Sequence, residues 1–161
     1  MRNGDLTIPA GEGFLNIRVG AIIMQNGKFL MVGNERANYY YSVGGRVRFG
    51  ESTEEAVVRE VFEETGVRMT IDRLGFIHEN FFIADIYTTG NKPIYEIAFF
   101  FYMNVPDDFA PVCASVAEDD SKEKISWITP DCGKRFYPDF FRTELAYPSQ
   151  AIKHIVSRYS D

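Results

Sequence analysis

Residues 45–67 read GRVRFGESTEEAVVREVFEETGV. The spacing is Gly-x5-Glu-x7-Arg-Glu-Val-x-Glu-Glu-x-Gly-Val, with Gly45, Glu51, Arg59, Glu60, Glu63, Glu64 and Gly66 at the fixed positions. Chance produces seven specified residues on the order of 1 in 10^8 per start position. Ser52 can cap a helix, and Glu55 three residues on completes a capping box. Good helix formers run to Thr65, and Gly66 suits the C-terminal stop. With Val57 at zero on a helical wheel, Val61, Val58 and Phe62 fall at roughly 40°, 100° and 140°. Glu63, Glu60 and Glu64 fall at roughly 240°, 300° and 340°. One side can dock on a sheet, and the other gathers three carboxylates within about 100° of arc.

Like charges on one helix face repel. The cluster is reasonable chemistry if a hard divalent cation sits on it, because carboxylate oxygens suit Mg²⁺ or Mn²⁺ and such ions share their remaining positions with water and phosphates. Arg59 lies four residues before Glu63 and can pair with it, which makes it an orienting residue rather than a substrate contact. A solvated acidic helix face is the competing reading of the glutamates alone. The full spacing, with glycines at both ends, decides against it. Gly44, Gly45 and Gly50 frame a loop before the helix that could bring backbone amides near an anion. No Gly-Lys-Ser/Thr follows, so this is not an ATPase-type phosphate loop, and the glycine spacing is not a dinucleotide fingerprint.

The stretch resembles the Nudix box, with every fixed position intact. The resemblance implies an α/β fold, a Nudix-like α/β/α sandwich with a mixed sheet between helices. It also implies that Glu60, Glu63 and Glu64 are the metal ligands, with Mg²⁺ the cofactor and Mn²⁺ a substitute. Glu51 then either joins through water or holds Arg59. For the general base Glu64 is the first choice. Glu96, Glu118, Asp119 and Asp120 are the alternatives. One departure is Ser42-Val43, where many members carry Leu-Pro. The implied activity is hydrolysis of a diphosphate linkage in a nucleoside diphosphate derivative. Candidate substrates are nucleoside triphosphates, ADP-ribose, dinucleoside polyphosphates and nucleotide sugars. A non-catalytic nucleotide-binding regulatory module is the first alternative. The second is an isoprenoid diphosphate isomerase, which would need a cysteine beside a glutamate.

The whole chain is compatible with this. At 161 residues it is expected to be one domain spanning 1–161, with residues 1–13 poorly ordered at the extreme end. Hydrophobic residues make up 45% and aromatics 15%, so the chain is globular rather than disordered. A net charge of −6 argues against nucleic acid polymers and anionic membranes as partners. A small-molecule nucleotide or other diphosphate remains compatible, because a metal inverts the local field. Cys113 and Cys132 are too few and too far apart for a cysteine-based zinc site and are read as free thiols. With no signal-peptide pattern and no long apolar run, a cytoplasmic location is expected. A homodimer is compatible with the apolar run 97–103, which a buried central strand explains equally well.

Along the chain, strands are expected over residues 16–24 and 28–32, joined at Asn26-Gly27. A hairpin is expected from residues 73–87 and 94–105, turning at Thr89-Gly90-Asn91. A short strand over 124–128 follows the acidic loop 107–121, and Ala151, Ile152, Ile155 and Val156 predict a terminal helix over 148–159 with His154 on its exposed face. Outside the helix, Tyr39, Tyr40 and Tyr41 could stack a base, and Arg46 and Arg48 could pair with phosphates. Together with Gly44 and Gly45, Tyr41, Arg46 and Arg48 form the expected substrate-binding set. His78-Glu79-Asn80 reads as a polar strand segment near the cleft. Glu96 interrupts an apolar strand between Tyr95 and Ile97, and a lone carboxylate there needs a partner or a function.

Overall fold

The apolar alternation beginning at residue 13 becomes a central strand of a mixed sheet. The computed structural model describes residues 4–34, 38–83, 90–110 and 123–159. In chain order the elements are β1 (Thr7–Ala10), β2 (Gly13–Ile22), β3 (Met24–Gln25), β4 (Lys28–Asn34), β5 (Tyr40–Arg46), α1 (Thr53–Thr65), β6 (Thr70–Ile83), β7 (Pro93–Asn104), β8 (Glu123–Ile128), β9 (Phe136–Tyr137), α2 (Phe141–Glu144) and β10 (Lys153–Arg158). The strand order is β10-β6-β7-β2-β5-β4-β3, with β1 on β2, β8 on β4 and β9 on β5. β2 runs parallel to β7 and antiparallel to β5, so the sheet is mixed. Among the described residues no helix is long and apolar enough to cross a membrane.

Side chains alternate across a strand, so pairing register assigns each residue to a face. Val19 and Ala21 of β2, Val43 of β5 and Phe101 of β7 pack with Ala56, Val57 and Val61 of α1. Ile22, Phe76, Ala98 and Phe100 form the other face, covered by Phe136 and by Phe141 and Leu145 at α2. The sheet therefore lies between helices, as expected, although α2 is a single turn.

The C-terminal expectation is corrected. Residues 153–158 form β10, an edge strand parallel to β6, with Ile155 opposite His78. The stripe of Ala151, Ile152, Ile155 and Val156 suits a helix, but three of the four are β-branched or flank β-branched neighbours on a short segment. The open ladder of β6 rewards extension with hydrogen bonds that a surface helix could not match. His154 thus sits on a strand, bonded through Nε2 to Glu79 Oε1 at 2.8 Å. Gly44 and Gly45 are likewise inside β5 rather than in a loop, and the turn comes only at Phe49-Gly50. The polar N-terminal stretch pairs as β1 from Thr7 onward. The β6–β7 pairing, the β8 strand and the turn at Asn26-Gly27 are as expected, while residues 84–89, the expected end of the first hairpin strand and start of its turn, lie outside the described residues. Cys113, Glu118, Asp119, Asp120 and Thr89 lie outside the described residues.

Candidate active site

The box helix forms as its sequence predicts. Ser52 Oγ accepts from Glu55 N at 3.1 Å, and Glu55 Oε2 accepts from Ser52 N at 2.8 Å, completing the capping box. Gly66 closes the helix in the left-handed region at φ 74°. The orientation differs from a simple amphipathic wheel. Ala56, Val57, Val61, Glu64 and Thr65 are all buried, so the acidic arc is turned partly toward the sheet. Phe62, assigned to the apolar side, is 43% exposed, with the Arg68 guanidinium over its ring.

The glycines of β5 make this orientation possible. A Cβ on Gly45 would overlap the Glu60 carboxylate. Gly44 has φ +153°, and a Cβ there would run into the Val19 carbonyl. The strand thus presents bare backbone, and Gly44 N donates to Glu64 Oε2 at 3.0 Å. Glu64 is only 7% exposed. Burial raises its carboxyl well above the usual range, and the charges of Glu123 and Glu60 add to the effect.

Arg59 organises the remaining acids. Its Nε and Nη2 grip Glu51 at 2.6 and 2.9 Å, a bidentate fork. Nη1 reaches Glu60 at 2.5 Å and Glu63 at 3.5 Å, while Nη2 also donates to the Arg46 carbonyl at 3.2 Å. The guanidinium holds the Glu51 carboxyl below its ordinary value, helped by the Arg48 amide at 3.0 Å. Arg48 Nη2 approaches Glu63 Oε1 at 3.4 Å.

The structure brings together Glu51, Arg59, Glu60, Glu63, Glu64, Gly44, Gly45 and Arg48. Tyr41 joins them through a residue the sequence reading passed over. Its hydroxyl donates to Glu123 Oε1 at 2.7 Å, and burial raises the phenol. Glu123 reaches this place because β8 pairs with β4, which no local pattern announces. Arg46 contributes its carbonyl, and its side chain lies on the opposite face by register with Arg18. Glu96 is not brought to the helix: Ala98 and Phe100, next on its face of β7, pack away from α1. Cys132 also packs on that opposite face, remote from the chemistry an isomerase cysteine would need.

Among the described residues no three acidic, histidine or cysteine side chains stand as a ready-made metal cage. The donor set nonetheless fits a hard divalent ion. Glu60 and Glu64 converge on one side of bare glycine backbone, and the like charges that raise Glu64 are those a cation would relieve.

These features define a class of small α/β proteins, in which a capped acidic helix lies against a double-glycine strand of a mixed sheet. The profile described as NUDIX domain matches residues 15–140, and the chain belongs to the NUDIX family. A MutT-like protein of Streptomyces ambofaciens is 31% identical over 61 residues, a match spanning 38% of this chain and 40% of that protein. Among solved structures, an ADP-ribose pyrophosphatase of Streptococcus suis superposes with TM-score 0.56 at 19% identity, over 88% of this chain and 98% of that one. A MutT protein of Bacillus halodurans gives 0.61 at 17%, covering 90% of each chain. A MutT protein of Methanosarcina mazei gives 0.55 at 26%, over 84% of this chain and 94% of that one. The chain carries the domain and the fold of Nudix hydrolases.

Proposed function

We propose that the protein is a divalent-metal-dependent hydrolase of a diphosphate linkage in a nucleoside diphosphate derivative, with water attacking phosphorus. The observation that carries the reading is the buried Glu64, fixed to Gly44 N beside Glu60 and charge-coupled to Glu123. Glu60, Glu63 and Glu64 would hold Mg²⁺ or Mn²⁺. Bound there, the ion supplies neutralisation of the diphosphate charge and Lewis acidity at phosphorus.

The chain's own residues do the rest. Arg59 fixes the rotamers of Glu51, Glu60 and Glu63 at once, so each carboxylate is oriented before substrate arrives. Glu64, its Oε2 fixed by Gly44 N, is the first choice to take the proton of the attacking water. Glu123, held by Tyr41, is the second candidate base. Arg48, at the rim beside Glu63, can turn toward a substrate phosphate. Nucleoside triphosphates, ADP-ribose, dinucleoside polyphosphates and nucleotide sugars are the substrate candidates, and ADP-ribose is the substrate named for one solved protein of the same fold. The location is expected to be cytoplasmic.

The test is product analysis by mass spectrometry in ¹⁸O-water with Mg²⁺, across nucleoside triphosphates, ADP-ribose, dinucleoside polyphosphates and nucleotide sugars. One cleaved class, with ¹⁸O in a phosphate product, is the expected result. No turnover with metal bound and the fold intact would move the assignment to a regulatory binding module.

A further inference from the structure

Among the described residues, helices cover only part of the sheet. On the α1 side, register sets Val156, Glu79 and Ile97 in one row across β10, β6 and β7, and Arg158, Phe81 and Tyr95 in the next. Ile77 and Ile83 continue the same face along β6. α1 packs over β2, β5 and the Phe99 and Phe101 end of β7. Ile77, Phe81, Ile83, Tyr95, Ile97 and Val156 join neither packed cluster. Ile83 is 48% exposed and Val156 50% exposed. The rings of Phe81 and Tyr95 lie face to face, 4.4 Å apart and 9° from parallel, and the Arg158 guanidinium stands 4.1 Å over the Phe81 ring.

A sheet face left to water carries polar side chains at alternate positions. Here β6 and β7 are largely apolar on both faces, since Phe76, Ala98 and Phe100 fill the other one. The side chains of the open face are already fixed against one another. The Tyr95 hydroxyl donates to Glu79 Oε2 at 2.6 Å, and Glu79 Oε1 meets His154 Nε2 at 2.8 Å. An exposed apolar surface stiffened before contact is the kind that binds a partner, because little side-chain entropy is left to lose.

We propose that this face joins a second copy of the chain, sheet against sheet, about a two-fold axis. The net charge of the chain is −6, which keeps two copies apart over most of their surface. On this face Glu79 is matched by His154 and Arg158, so the copies meet where neither is acidic. The two rows are also self-complementary, as an isologous contact requires. An axis running across the strands between the Glu79 and Phe81 rows sets Ile83 of one copy over Ile77 of the other. The same axis brings Arg158 of each copy to the row that holds Glu79 of the other. The extent is sufficient. β10, β6, β7 and β2 stand about 4.8 Å apart, and residues 77 to 83 run about 20 Å. With side chains standing on it, such a patch approaches the roughly 800 Å² per partner of a standard interface.

The experiment is sedimentation equilibrium of the full chain from about 1 to 200 µM, with circular dichroism as the control for folding. Wild type is compared with Ile83→Glu and Arg158→Glu. The first buries a carboxylate in the apolar contact, and the second sets it against Glu79 of the other copy. Both side chains are exposed in the single chain, so both variants should fold. Wild type is expected to sediment as a dimer, and each variant to raise the dissociation constant at least tenfold with an unchanged dichroism spectrum. A wild type that stays monomeric throughout would overturn the proposal and leave the face to a different partner. A dimer whose dissociation constant neither variant moves would overturn it equally, by placing the contact elsewhere on the chain.

Discussion

Gly45→Ala separates catalysis from folding. No positive φ is imposed at Gly45, so the backbone accepts alanine. The new Cβ would lie 2.5 Å from Glu60 Cδ and 2.7 Å from Oε2, where ordinary contact begins at 3.4 Å. The carboxylate must therefore retreat by about 0.9 Å, and it can, being the end of a flexible side chain. Stability should fall by less than about 1 kcal/mol, or a few degrees of melting temperature. A displaced reacting or ligating group costs on the order of 10²-fold in rate, about 2.7 kcal/mol of activation free energy. Gly44→Ala is the contrasting variant. Its Cβ would collide with the Val19 carbonyl and lie 2.9 Å from Gly20 Cα, at φ +153°. Backbone cannot yield as a carboxylate can, so a loss of about 2–4 kcal/mol of stability is expected. The assay is kcat with Mg²⁺ on the cleaved substrate, alongside melting curves for both variants. A Gly45→Ala protein with kcat within threefold of wild type would refute the claim that Glu60 must occupy the space beside the glycine.

Arg59→Lys keeps the charge but loses the fork to Glu51, so stability should fall by about 1–3 kcal/mol and kcat by tenfold or more. Urea unfolding and initial rates check both, and a silent substitution would remove Arg59 from its organising role. His78 is buried, and burial lowers its imidazole from 6.5 to about 4. The unfolded chain therefore binds the extra proton first. The contribution is complete above pH 6.5 and is lost as pH falls toward 4, by at most roughly 3 kcal/mol. His78→Gln should flatten the melting profile over that window, and parallel profiles would show that His78 is not responsible. Ser52→Ala should cost about 1 kcal/mol through loss of the cap, with kcat within twofold of wild type.

The box helix, its caps and the hairpin were legible because each is encoded by neighbours in sequence. Ser52 and Glu55 are three residues apart, and both bonds of the capping box depend on nothing distant. The terminal segment was not legible, since Ile152, Ile155 and Val156 suit a helical stripe and an edge strand alike. The choice fell to the free edge of β6, 77 residues away in the register of Lys153 with Phe76. Glu123 was missed for a similar reason, as only the β4–β8 pairing sets it beside Tyr41 and Glu64. Glu96 stands out in the sequence as a carboxylate in an apolar strand. Which face it occupies depends on its pairing with Asn16 and Asn80, and that separates it from the helix. The wheel grouped the three glutamates but could not show that bare glycine backbone would let Glu64 be buried.

The most direct measurement is Mg²⁺-dependent turnover of Glu64→Gln against wild type, with a melting curve for each. Glutamine keeps the shape and removes a charge that Glu123 and Glu60 oppose. The account predicts a rate loss of at least about 100-fold with a melting temperature equal to or above wild type. Chelation should abolish wild-type turnover to the same level. Turnover in Glu64→Gln near the wild-type rate would contradict the assignment of this buried carboxylate as the centre of the chemistry.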